Sequence, residues 1–205
     1  VTAYRLVRGN ILFRDVWDVQ STFAVIYAGI LYLYIKITGM VDGCILFSRI
    51  MFFALNCGVS YFLFRSCKKY LSVGCSILLS VFYLFYAPFS IYAFSYNNLV
   101  ILLSSLIILL IFQGIISKRS VFFVLGGVSG CMLVFIYPTM VFFAPMMIVL
   151  LLLRYKKIGR AWLYVMIGGL ISAVLIAGIL LLTVGWDSFM IWVDSILKDP
   201  AYGDK

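Results

Sequence analysis

Histidine and glutamate are both absent from this chain, and its only carboxylate side chains are seven aspartates, set against sixteen lysines and arginines. Without histidine, zinc-hydrolase, histidine-base and haem chemistries lose their usual ligand or base. Cysteine is present five times but never as a C-x-x-C pair. Because Cys44, Cys57, Cys67, Cys75 and Cys131 all fall in or beside apolar runs, they read as small buried hydrophobes rather than disulfides or metal ligands. There is no internal repeat beyond general hydropathy, no low-complexity segment and no signal-peptide pattern. The first residue is valine and the chain ends in a polar tail, Asp199-Pro-Ala-Tyr-Gly-Asp-Lys205, so the sequence reads as a piece of a longer protein.

What the chain has in abundance is apolar surface. Its hydrophobic fraction is 65% and its mean hydropathy +1.17, well above the roughly 45–50% apolar content of a soluble domain. Lipid must therefore be the solvent for most of these side chains. A formal charge of +9 can signal nucleic acid or membrane orientation, and position decides between them. Nine of the cations fall in three short clusters between apolar runs: Arg65, Lys68 and Lys69; Lys118 and Arg119; Arg154, Lys156, Lys157 and Arg160. No acid shares those clusters, the pattern of cytoplasmic loops under the positive-inside rule, and nucleic acid is excluded as a partner. The bilayer is the expected partner, and the loops at 65–69, 118–119 and 154–160 are expected to be cytoplasmic.

Hydropathy divides the chain into an interfacial segment at 1–20, a transmembrane bundle at 21–184 and the start of an outer loop at 185–205. Apolar runs at 21–38, 44–64, 70–87, 99–117, 121–137, 139–153 and 161–184 predict an all-α, polytopic transmembrane bundle of about seven spans plus interfacial helices. Residues 1–20 are too short and too charged to span, and read as a short helix with a turn at Gly9-Asn10. The stretch from Phe85 to Asn98 is aromatic, polar and uncharged, as Tyr-rich belts at the membrane boundary are. Pro138 breaks two short spans, and Pro145 predicts a kink in the second. Gly126, Gly127, Ser129 and Gly130 offer a small-residue face for close helix approach. Residues 186–197 read as an amphipathic surface helix.

With the basic loops inside, residues 85–98, the Pro138 turn and the C-terminal tail lie outside. One conflict arises: Asp42 then falls outside, and a fully spanning 21–38 would put Asp15 inside. A partly inserted or interfacial 21–38 resolves it.

Few residues could carry chemistry. Asp15 and Asp18 could face the same way on a helical turn, where a carboxylate can act as general base for a hydroxyl or hold a cation; the plainer alternative is two solvated acids paired with Arg14 or Arg8. Arg49 sits inside an apolar run, where a guanidinium costs about 2.5–3.5 kcal/mol unless paired or hydrated. Its partner is either Asp42 or helix-end carbonyls on one side, or an anionic ligand such as a lipid phosphate on the other. Tyr96, Asn97 and Asn98 either cap the following helix or line a sugar site with groups suited to hydroxyls. Tyr137-Pro138-Thr139 is either a turn or a polar break lining a cavity. The basic clusters are first of all topology signals, with anionic headgroups as a secondary partner.

Taken in order, Gly9-x-x-Leu12-Phe13-x-Asp15, then Gly39 followed by Arg49, then Ser95-Tyr96-Asn97-Asn98-Leu99, then Gly127-x-Ser129-Gly130 and Pro138 resemble bacterial integral-membrane glycosyltransferases of the GT-C class. Nearest in style are the dolichyl-phosphate-mannose protein mannosyltransferases and aminoarabinose transferases. The resemblance runs over most of the chain through degenerate motifs. It implies an all-helical enzyme that takes a sugar from a polyprenyl-phosphate carrier at the outer face and passes it to a glycan, lipid or protein acceptor. It also implies a catalytic acid near the start of the first outer loop, which here would precede Val1. By that likeness Asp15 and Asp18 are catalytic, Arg49 binds the donor phosphate, and Tyr96, Asn97 and Asn98 bind sugar or acceptor. Here Asn stands where the family often has the acid of Arg-x-x-Asp, and Gln20-Ser21-Thr22 replaces a double proline. No cofactor or metal site is expected, although the loop carboxylates are chemically able to hold a divalent cation. The rival readings are a transporter or flippase of lipid-linked glycans, disfavoured by the scarcity of intramembrane charge, and a non-catalytic membrane scaffold.

Overall fold

The structure, a computed structural model, describes residues 2–12, 15, 22–86, 93–154, 159–188, 190–191 and 194. Among them the architecture is all-helical. The order is α1 (Thr2–Val7), α2 (Thr22–Thr38), α3 (Cys44–Cys67), α4 (Val73–Phe85), α5 (Tyr96–Ser117), α6 (Ser120–Ile136), a single 3₁₀ turn (Pro138–Val141), α7 (Phe143–Arg154) and α8 (Gly159–Val184). The predicted apolar runs are thus all helices. Three of them, Cys44–Cys67, Tyr96–Ser117 and Gly159–Leu182, are long and apolar enough to cross a bilayer; α2, α4, α6 and the segment Pro138–Leu153 are shorter apolar helices. Three spanning-length helices are established where about seven were predicted. α2, at 17 residues, is about 26 Å long at about 1.5 Å per residue, short of the roughly 30 Å hydrocarbon core.

Large apolar side chains crowd the outside: Phe82 is 71% exposed, Leu170 67% and Leu182 89%. Water would not tolerate such a surface, whereas lipid welcomes it, which makes this a membrane protein.

The chain forms two compact units, one of Val1–Gly39 with Ala173–Lys205 and one of Met40–Ser172. In the first, α1 packs on α2, and Ala3, Leu12, Ala24 and Leu31 are buried. The predicted turn follows α1, closed by Gly9 N–H to the Leu6 carbonyl at 3.0 Å and Asn10 N–H to the Arg5 carbonyl at 3.1 Å. Beyond α8, residues 186–188, 190–191 and 194 are helical; the remainder of the predicted amphipathic helix lies outside the described residues.

The second unit is built around α5, of whose apolar window 44% is buried, against 28% for α3 and 22% for α8. Its core gathers Ile107 and Ile111 of α5, Phe123 and Leu133 of α6, Ile148 and Leu152 of α7 and Val165 of α8. Apolar burial distinguishes helix from lipid only weakly, so polar ties between helices carry much of the specificity. Asn56 of α3 donates to the Leu84 carbonyl of α4 at 3.0 Å, and Ser60 donates to the Ser80 carbonyl at 2.7 Å. Gln113 of α5 donates to the Ser66 hydroxyl of α3 at 2.8 Å. The first two bonds make α4 antiparallel to α3, and because the Phe94 N–H just before α5 meets Ser48 near the start of α3 while Gln113 meets Ser66 near its end, α3 and α5 are parallel.

α6 and α8 meet where both lack side chains. A Cβ at Gly127 would overlap the Val165 carbonyl oxygen, and one at Gly168 the Val124 carbonyl oxygen, so the backbones are in direct contact. Of the glycines in the predicted small-residue face, Gly127 alone meets the α8 backbone, whereas Gly126 faces Ile111 of α5 and Gly130 faces Ile148 of α7. Pro145 corrects an expectation: it is the third residue of α7, in a first turn whose N–H groups have no helical acceptor, so it starts a helix instead of kinking one.

Candidate functional site

In the second unit, the α5 N-terminus, the α6 C-terminus and the start of α3 come together at one end. Ser95 holds an extended backbone, φ −132° and ψ 158°, and its hydroxyl accepts the Asn98 N–H at 3.3 Å. Ser95 is therefore the cap, and Tyr96, Asn97 and Asn98 are the first turn of α5 rather than part of the loop before it. The Asn98 side chain is 2% exposed and turns back to donate to the Ala93 carbonyl at 2.8 Å. It fastens the approach to the helix. Asn97 and Tyr96 are half-buried beside it.

The segment before α5 is clamped to α3. Phe94 N–H donates to the Ser48 hydroxyl at 3.4 Å, and the Phe94 ring meets Phe52 edge-on with centroids 6.0 Å apart. On the other side, the Tyr96 ring lies flat against Tyr137, with centroids 5.8 Å apart and planes 4° from parallel. Tyr137 ends α6, its N–H donating to the Leu133 carbonyl at 3.0 Å, and Pro138 forces the break that follows. Two stretches singled out in the sequence, Tyr96–Asn98 and Tyr137-Pro138-Thr139, are thus one structural feature.

Arg49 belongs to the same end of α3, one residue beyond Ser48. It is exposed and borders an open groove of about 390 Å³ with Ile50, Phe53 and Phe85. Among the described residues no carboxylate or carbonyl pairs with it, so of the two alternatives the sequence left open, the pairing with Asp42 or helix-end carbonyls is not made there. An exposed guanidinium there can meet an anion through charge-assisted hydrogen bonds.

In the first unit, Asp15 is exposed and takes the Ile11 N–H on its Oδ2 at 2.8 Å, while its own N–H donates to the Ile11 carbonyl at 2.9 Å. The carboxylate thus closes a local turn. Arg8, offered above as an ion-pair partner, places its guanidinium over the Tyr4 ring at 4.8 Å. Asp18 lies outside the described residues. Among the described residues no three His, Cys, Asp or Glu side chains cluster as metal ligands would.

Sequence reasoning missed the clamp of Ser48 and Phe52 on Phe94, and Ser95 as the cap. A run of Ser-Tyr-Asn-Asn holds three good capping residues, and only the extended backbone of the first selects it. Compared with family models, curated proteins and solved structures, the chain matches none.

Proposed function

We propose that this chain belongs to a multi-pass cell-membrane glycosyltransferase of GT-C type, which moves a sugar from a polyprenyl-phosphate carrier to a cell-envelope acceptor on the outer face. The observation that carries the reading is the pair of stacked tyrosines, Tyr96 on Tyr137, with half-buried Asn97 in the same turn. A flat aromatic wall with one amide beside it suits a sugar ring, which offers apolar faces and a rim of hydroxyls. Arg49, at the same end of the unit, supplies the cation that a lipid phosphate needs.

In this mechanism a loop carboxylate takes the proton of an acceptor hydroxyl, whose oxygen attacks the anomeric carbon. The bond from that carbon to the phosphate oxygen breaks, and the carrier leaves as polyprenyl phosphate with the electron pair. Arg49 stabilises the charge on the leaving phosphate, and removing one such donor costs about 10²–10³ in rate. The end with Tyr96, Tyr137 and Arg49 faces outward, and the basic loops face the cytoplasm.

Membranes containing the protein, supplied with radiolabelled polyprenyl-phosphate sugar, should transfer label to an envelope acceptor. Arg49→Gln should lower the rate at least a hundredfold, and Tyr96→Ala should weaken donor use, both with unchanged protein level. Unaltered transfer by Arg49→Gln and Tyr96→Ala would refute the site. Translocation of the carrier without sugar transfer would favour a flippase.

A further inference from the structure

The end of the second unit opposite Tyr96 has its own cavity. It holds about 470 Å³, inside the roughly 300–1,000 Å³ range of ligand pockets. Lys118 and Arg160, from two different basic clusters, both line it, together with Ser120 and Tyr164 and the apolar side chains of Ile115 and Phe123. A neighbouring cavity of about 500 Å³, walled by Cys67, Tyr70, Leu71 and Phe112, carries no charge. Lys118 and Arg160 thus share one open pocket.

No carboxylate within the unit can serve as their counter-ion. Between residues 43 and 186 the sequence contains neither Asp nor Glu, so Asp42 is the sole acid of the unit. It precedes the first turn of α3, at the end of the unit away from Lys118. Lys118 is also held at φ +54°, the left-handed conformation. A glycine would adopt that conformation at a helix end without strain; the chain places a lysine there, and its side chain joins the cavity wall. No side chain caps the first turn of α6, which starts at Ser120 on the same wall.

We propose that this cavity binds a phosphate group: Lys118 and Arg160 neutralise it, the hydroxyls of Ser120 and Tyr164 bond its oxygens, and Ile115 and Phe123 receive the apolar part of a ligand that has one. At a membrane surface the chemistry fits an anionic phospholipid headgroup, and it fits a free phosphate equally; the experiment separates these sources. This site is independent of the proposed transferase reaction.

The purified protein in nonionic detergent is titrated with short-chain phosphatidylglycerol, phosphatidylcholine of the same chain length, and inorganic phosphate, reading Kd from tryptophan fluorescence. Preference for phosphatidylglycerol identifies the lipid source, and saturable binding of inorganic phosphate identifies the free anion. In either case Lys118→Asn, which tolerates the left-handed backbone, and Arg160→Gln should each weaken binding about fivefold, and the pair about 25-fold, at roughly one headgroup interaction per cation. Arg160→Lys should retain most of the affinity, which guards against a variant that misfolds. Arg65→Gln with Lys69→Gln, outside the cavity, should leave Kd within twofold. Equal loss in both pairs, no loss in the cavity pair, or no binding of either phosphate probe would overturn the proposal.

Discussion

Asn97 and Asn98 are neighbours with different surroundings. Asn98 is buried and donates to the Ala93 carbonyl, so Asn98→Ala should destabilise by about 1–3 kcal/mol, the penalty for stranding a buried polar partner. Asn97 is half-buried, and Asn97→Ala should shift stability by no more than about 0.5 kcal/mol while lowering sugar transfer. Thermal unfolding in detergent beside a transfer assay checks both; matched destabilisation in the two variants would make Asn97 a structural residue. The stacking of Tyr96 on Tyr137 is testable alone, since a double-mutant cycle through Tyr96→Ala and Tyr137→Ala should give a coupling of about 0.5–1.5 kcal/mol. At this scale the sequence was only half legible. It singled out Tyr96–Asn98 as polar groups at a membrane boundary, but not which of them faces inward, because that depends on where the helix starts and so on the Ser95 backbone.

At the scale of elements, the contact between α6 and α8 is the most demanding. Gly127→Ala or Gly168→Ala would push a methyl group into a carbonyl of the facing backbone, and each should destabilise by about 1–3 kcal/mol as the helices separate. Gly130→Ala is the control, because its added Cβ would sit 3.5 Å from the flexible Ile148 Cδ1, an ordinary contact; its melting temperature should stay at the wild-type value. The buried bond from Gln113 to Ser66 should show a coupling of about 0.6 kcal/mol in a double-mutant cycle, as interhelical bonds in membranes average. Helix existence was readable from hydropathy, and Gly126–Gly130 marked a close approach. The partner helix was not, because glycine states that something approaches without saying what.

Over the second unit as a whole, polarity is divided by end. The bond from Ser66 to Gln113 and the ring contact of Tyr70 with Phe112 bring the loop after α3 to the α5 C-terminus, and the cavity joins Lys118 to Arg160. Among the described residues, Arg65, Lys68 and Lys69, Lys118 and Arg119, and Arg160 thus share one end, with Tyr96, Tyr137 and Pro138 at the other. In a background without the native cysteines, Lys69→Cys and Arg119→Cys should label from one side of the membrane, and Thr139→Cys from the opposite side. Labelling of Lys69→Cys and Arg119→Cys from different sides would break the parallel arrangement of α3 and α5.

The sequence by itself determined the solvent, the helical class and the grouping of charge, because hydropathy and charge are sums over neighbouring residues and need no knowledge of the fold. Only the tertiary structure decided that Tyr96 meets Tyr137, that Gly127 meets the Val165 backbone and that Lys118 shares a cavity with Arg160. The reason lies in the solvent. Lipid is as apolar as a protein core, so these helices are hydrophobic all round, and the periodicity that marks an inward face in water is lost.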